Sequence, residues 1–161
     1  MLSVTLLCVG KLKEPYFAAA FAEYEKRLGA FCRFEAIELP EQRLCCEPPS
    51  EREIAAALER EAAEIEKLIP TGAALCAFCV EGEMLSSPAF AERIRGFASG
   101  GQSRLCFAIG GSFGLAETLK RRAALRLSVS RMTFPHHLFR VMAAEQLYRA
   151  FTILEGRAYH K

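Results

Sequence analysis

No stretch of this sequence is long and apolar enough to cross a membrane. A spanning helix needs roughly 18 apolar residues in a row, and charged or polar residues break every apolar run well before that. The opening MLSVTLLCVGKLKE has a short apolar run but neither a basic start nor a small-residue cleavage site. It therefore reads as a first strand and not as a secretion signal, and a cytoplasmic protein is expected. An excess of one charge is also missing. Lys and Arg number 21 against 19 Asp and Glu, a net +2, which neither demands nor excludes a nucleic-acid partner. The sequence has no internal repeat and no low-complexity segment.

Paired metal-ligand motifs are absent too. The seven cysteines are scattered and odd in number, a pattern of free thiols in a cytosolic protein. Cys76-x-x-Cys79 is the one spaced pair, and it lies in ALCAFCV, which reads as a buried strand. Residues three apart on a strand point to opposite faces, so these thiols are core cysteines rather than a metal or redox pair. Cys45 and Cys46 are adjacent in a polar loop and have no second pair to complete a zinc site. No metal is expected. No Cys-x-x-x-Cys-x-x-Cys run is present, which argues against radical iron–sulfur chemistry.

What is present is an alternation of strand and helix signals. Residues 2–9 read as a strand and 14–28 as a helix, with Pro15 in its first turn and Gly29 past its end. Residues 31–39 alternate apolar with polar and read as a half-exposed strand. Ser50 with Glu53 is a capping-box signature for a helix over 51–68. Strands follow at 73–80, 104–109 and 125–129. Helices are expected at 88–98, with Ser87-Pro88 as cap and first turn, at about 116–123, and at about 137–155 between Pro135 and Gly156. EGEMLSS after the third strand reads as a loop. This order implies one α/β domain over 1–161, with a mostly parallel sheet covered by helices on both faces.

The fourth strand runs into glycines in LCFAIGGSFGLAE, residues 105–117. A dinucleotide site would need Gly-x-Gly-x-x-Gly and an acidic residue near the end of the next strand. Gly110-Gly111-Ser112-Phe113-Gly114 has the wrong spacing, and 125–135 hold no Asp or Glu. Gly-Lys-Ser/Thr is missing as well, which removes a Walker loop. Either the glycines form a plain tight turn, or they face a ligand together with the polar loop SVSRMTF after the fifth strand. The third strand ends at the same side, at Phe78-Cys79-Val80. Three strand ends could wall one pocket, with backbone groups for an adenine edge and apolar side chains for its faces.

FAIGGSFGL, LSVSRMTFPHHLFRVMAAEQLYRAFTILEG and the final YHK, in this order, resemble the large-subunit (23S) ribosomal RNA pseudouridine N3-methyltransferase family. That family is of the SPOUT class of S-adenosyl-L-methionine-dependent enzymes. LLCVGKLKEPYF and the LSS before the third helix extend the likeness over nearly the whole chain. The resemblance implies a C-terminal trefoil knot, a departure from ordinary chain paths. It also implies a homodimer built partly on the last helix, and action on the assembled ribosome. By position, the cofactor pocket would use Phe78, Gly110, Val129, Ser130, Arg131, Met132, Thr133 and Phe134, with Gly111 and Gly114 shaping the loop. Glu83 stands where relatives often carry a lysine. A non-catalytic ribosome-binding or assembly factor of the same fold is the alternative.

Methyl transfer from a sulfonium is an in-line displacement that needs alignment and removal of the acceptor's proton. The residues considered for that chemistry are His136, Arg140, Tyr159 and His160. His136, at the start of the last helix, is expected to be neutral because a helix N-terminus disfavours an imidazolium. It either accepts a proton or caps and packs. His137 reads as a surface residue. Arg140, Glu145 and Arg149 are either a dimer or substrate contact or, for the last two, a surface i,i+4 pair. Phe139, Met142, Leu147, Phe151 and Leu154 read as core or dimer interface. In the tail, Tyr159, His160 and Lys161 could reach the acceptor base and Arg157 a phosphate, or the tail frays. Lys120, Arg121, Arg122 and Arg126 form a solvated face or a phosphate patch.

Overall fold

The computed structural model describes residues 1–160. Its elements run β1 (Ser3–Val9), α1 (Pro15–Leu28), β2 (Arg33–Leu39), α2 (Glu51–Leu68), β3 (Ala74–Met84), α3 (Ser87–Ser99), β4 (Arg104–Ile109), α4 (Glu117–Arg122), β5 (Leu125–Ser128) and α5 (His136–Leu154). The five strands form one sheet in the order β2-β1-β4-β3-β5, and every pair is parallel. The expected fold class is therefore present. Among the described residues no helix is long and apolar enough to cross a membrane.

The period-2 geometry of strands divides the core in two. Leu6 and Cys8 of β1, Phe107 and Ile109 of β4, and Cys76 and Phe78 of β3 face α1, α3 and α5. Their neighbours Leu7, Val9, Cys106, Ala108, Leu75 and Ala77 face α2 and α4. The three central strands are buried on both sides and so read as continuous apolar runs, as parallel sheets require. Cys76 lies in the core facing α1, α3 and α5, Cys79 is half-buried outside both core clusters, and all seven cysteines are free thiols. Burial pushes the Cys8, Cys32, Cys76 and Cys106 thiols up to about 12, which makes them inert packing groups.

Local chemistry sets the helix ends. The Ser50 hydroxyl accepts the Glu53 N–H at 3.2 Å, and Glu53 accepts the Ser50 N–H at 2.8 Å, completing the capping box. At α3 the cap is Ser86, not Ser87: Ser86 accepts from the Ala89 N–H. Ser87 is already helical, and its hydroxyl donates to Gln146 on α5 at 2.8 Å.

The largest departure from expectation lies in 81–84, read as loop from its charges. β3 pairs with β5 through Phe78↔Leu127, bulges, and pairs again at Glu83↔Leu127 and Met84↔Ser128. A bulge loses the alternation that marks a strand. Gly82 permits the return, since a Cβ there would lie 2.7 Å from the Leu127 carbonyl carbon.

Phe107 is buried between Phe78 and Phe90, with ring centroids 5.8 and 6.1 Å away. Phe107→Ala removes this aromatic centre and is expected to cost about 3–5 kcal/mol of stability, measured by denaturant unfolding.

Candidate functional site

The bulged stretch of β3 and the C-terminal ends of β4 and β5 converge on a cavity of about 390 Å³. Its floor is apolar: Phe78, Ile109, Leu115, Leu127 and Phe139. One wall is the main chain of Gly110–Gly114, the other that of Ser128–Ser130 with Met132, Thr133 and Phe134. The glycine wall is set by crowding. Gly111 and Gly114 bridge each other, and a Cβ on Gly110 would lie 2.2 Å from the Gly114 carbonyl oxygen. Gly114 takes φ +80°, where side chains are strained. In the second wall the Ser128 hydroxyl donates to the Ser130 carbonyl at 2.8 Å, and the Ser130 hydroxyl accepts the Met132 N–H at 3.0 Å. These contacts turn the chain directly after the strand.

Phe78, Gly110, Val129, Ser130, Met132, Thr133 and Phe134 all line the cavity, and Arg131, exposed in the same segment, does not. Main chain, hydroxyls and apolar surface fit a nucleoside better than a metal. Among the described residues no cluster of three or more His, Cys, Asp or Glu could hold a metal ion.

Of the residues considered for chemistry, His136 lines the cavity. Its imidazole is held below the ordinary value of 6.5, first by burial and then by the His137 charge, with Arg140 adding to this while Glu41 and Glu14 oppose it. A neutral ring at the cavity edge can take up a proton. Arg140 is buried and does not line the cavity. It donates to Glu38 Oε1 at 2.5 Å and to the Gly10 carbonyl at 2.7 Å, tying the first turns of α5 to the ends of β1 and β2. Its Nε–H is buried without an acceptor among the described residues.

The tail lies against its own α5. The Tyr159 hydroxyl donates to Glu145 at 3.2 Å, its ring lies under the Arg149 guanidinium at 4.8 Å, and Arg149 also approaches His160 Nδ1 at 3.3 Å. Burial raises the Tyr159 phenol above its usual range. Neither Tyr159 nor His160 lines the cavity, and Lys161 is outside the described residues. Glu145 and Arg149 do pair, but as a half-buried seat for the tail and not as an exposed ornament of the helix.

Other placements differ from expectation. His137 is not a free surface residue, because its Nδ1 lies 2.7 Å from Glu14 at the start of α1. Phe139 joins the cavity floor, its ring 5.2 Å from Phe78, instead of serving only as core or interface. Lys120 is not part of a solvated face: its side chain is 13% exposed, bonded to Glu81 and Glu117 at the cavity wall. Arg122 pairs with Glu66 at 3.0 Å, leaving Arg121 and Arg126 exposed. Glu83 holds Arg93 through two 2.9 Å contacts outside the cavity. The reading of the sequence missed Glu81 and Glu41, because charged residues after strands resemble ordinary loop polarity. Their position at strand ends was the available signal.

A family model described as "Predicted SPOUT methyltransferase" matches residues 2–160. Among solved structures, the chain is similar to a protein described as a "probable methylase family protein" from Haemophilus influenzae Rd KW20, with TM-score 0.58 and 10% identity over 100% of this chain and 72% of that one. It is also similar to a protein described as a "putative methylase family protein" from Neisseria gonorrhoeae, with TM-score 0.53 and 11% identity over 91% of this chain and 82% of that one. At such identities the likeness is one of fold.

Gly110→Ala forces a methyl group into the Gly114 main chain and is expected to cost about 1–3 kcal/mol in denaturant unfolding. His136 should titrate below 6.5 by NMR. The unfolded chain then binds this proton at a higher pH than the folded one. The histidine's contribution to stability is thus present above 6.5 and lost as pH falls through the lower folded value, which melting curves across that window measure.

Proposed function

The chain belongs to the SPOUT methyltransferase family, and from that premise we propose that it transfers a methyl group from S-adenosyl-L-methionine to N3 of a pseudouridine in large-subunit ribosomal RNA. It acts on the ribosome as a homodimer in the cytoplasm. Residues 1–161 form one domain whose C-terminal segment is threaded as a trefoil knot. Members of this family generally use S-adenosylmethionine. The observation that carries the reading is the cavity at the ends of β4 and β5 and the bulge of β3, walled by the main chain of Gly110–Gly114 and Ser128–Ser130 over an apolar floor. The order of FAIGGSFGL, SRMTFPHH and EQLYRA along the chain supports the finer substrate assignment.

The cofactor, when bound, supplies an electrophilic methyl group on a sulfonium. The chain's residues do the rest. Main-chain groups of 110–114 and 128–130 orient the nucleoside edge, and Phe78, Leu115, Leu127 and Phe139 exclude water from it. Neutral His136 accepts the N3 proton as the nitrogen pair attacks the methyl carbon. Weak bulk charge suffices because the assembled ribosome supplies an extended docking surface.

The dimer rests on apolar surface at and beside the cavity. Met132 is 74% exposed, and Val80, Met84, Phe113, Val129 and Phe134 are exposed as well, more than a solitary chain ordinarily leaves in one region. A second copy covering this surface would bring its own Arg157, Tyr159 and His160 toward the acceptor base.

Isothermal calorimetry should show binding of S-adenosylhomocysteine to the wild-type chain and none to Gly110→Trp. Mass spectrometry of ribosomal RNA from a deletion strain should show one pseudouridine methyl group missing, restored by the gene but not by that variant. Cofactor binding without any change in ribosomal RNA would leave a methyltransferase of another substrate. The absence of binding would favour a non-catalytic ribosome-binding factor. Sedimentation should give a two-chain species, and Met132→Glu with Val129→Glu should shift it to one chain.

A further inference from the structure

The glycine wall of the cavity is gripped from behind by a carboxylate outside the cavity. Glu41 lies in the loop between β2 and α2, and its Oε1 accepts the Ser112 N–H at 2.7 Å. The grip is close: a Cβ on Gly111 would lie 2.5 Å from that oxygen. The other oxygen, Oε2, turns toward the end of β1. It comes within 4.0 Å of the place a Cβ on Gly10 would take, and His136 Nε2 comes within 3.6 Å of the same place. Gly10 has φ +91° and no side chain to separate them. One carboxylate thus bonds the cavity's glycine loop through one oxygen and turns the other toward the space beside Gly10, which the cavity's histidine also borders.

The loop carrying Glu41 is itself anchored. The Gln42 N–H donates to Glu61 Oε1 at 2.7 Å, and the Gln42 side chain accepts from Arg60 at 3.2 Å. Glu61 is buried on α2, so the neighbour of Glu41 is fixed to a rigid element. A carboxylate bonded to a main-chain N–H is stronger than a neutral pair, and a loop ordered before binding loses less entropy when a ligand arrives.

We propose that Glu41 is a positioning residue of this site: it holds the glycine loop in its ligand-ready form and presents a negative charge to His136 when that ring carries a proton. The second half rests on the methyl-transfer reading above. In that reaction the N3–H bond breaks and an N–H bond forms on His136. The N3 pair forms the bond to carbon, and the carbon–sulfur pair leaves with sulfur. The imidazolium so formed meets repulsion from Arg140 and His137 on its own helix, and attraction from Glu14 at the start of α1 and from Glu41. Arg140 is largely answered by Glu38, and Glu14 by its bond to His137. Glu41 is the carboxylate beside His136 whose second oxygen is not drawn to another cation among these groups.

The test compares wild type, Glu41→Gln and Glu41→Ala. Gln keeps an oxygen for the Ser112 N–H and loses the charge; Ala loses both. Glu41 is half-buried in a loop, and thermal melts check that both variants fold. With S-adenosylhomocysteine in the calorimeter, Gln should bind within about twofold of wild type, and Ala about tenfold or more weakly, the fold-change of one lost charged hydrogen bond. In NMR titrations, His136 should move to lower pH in both variants, since each removes a charge that favours the protonated ring. Unchanged binding in Ala overturns the loop-holding role, and an unmoved His136 titration in both variants overturns the charge role. If wild type itself fails to bind S-adenosylhomocysteine, the methyltransferase reading falls, while the histidine titration still decides whether Glu41 acts on His136.

Discussion

The site depends on main chain lying against main chain. Gly110 and Gly114 approach so closely that a single methyl group on Gly110 would overlap the Gly114 carbonyl. This contact closes the turn after β4, bridges Gly111 to Gly114 and faces the loop edge into the cavity. β4 and β5 end beside the bulge of β3, and all three run the same way, so the pocket is a consequence of topology. The glycines keep it open. A side chain at Gly110 would collide with the Gly114 main chain and displace the loop edge that faces the cavity.

Behind this surface the charged residues hold the frame. Arg140 ties α5 to the ends of β1 and β2, Glu41 ties the glycine loop to the β2–α2 connection, and Glu14 pairs with His137. None of the three lines the cavity. They surround His136 with fixed charges of both signs, which gives a half-buried imidazole a defined environment without placing a permanent ion in the ligand's path.

The sheet was readable because the central strands are buried on both faces and their apolar runs are uninterrupted: ALCAFCV and RLCFAI could hardly be other elements. Ser50 with Glu53 named the start of α2 because a capping box is a local device. The second half of β3 was hidden, because a bulge removes alternation and Glu81 and Glu83 look like loop residues. At the site, strand ends pointed to the glycine loop and the loop after β5, and Gly110 and the 129–134 segment were singled out within them by the family resemblance. The cavity face of Phe139 was not readable, since helical spacing alone cannot tell a core aromatic from a pocket floor. Glu41 was hidden for a different reason: its contact with Ser112 spans 71 positions of sequence and follows only from the strand order.

The four-residue strand β5 has one more consequence. Leu127, Ser128 and Val129 border the nucleoside-sized cavity, and the same three residues border a second hollow between α1, α3 and α5, lined by Tyr24, Leu85, Phe90, Val141 and Met142. A single thickness of polypeptide is therefore a party wall between two chambers. Because protein interiors are close-packed, a change of side-chain volume at any of these three positions alters the walls of both hollows at once.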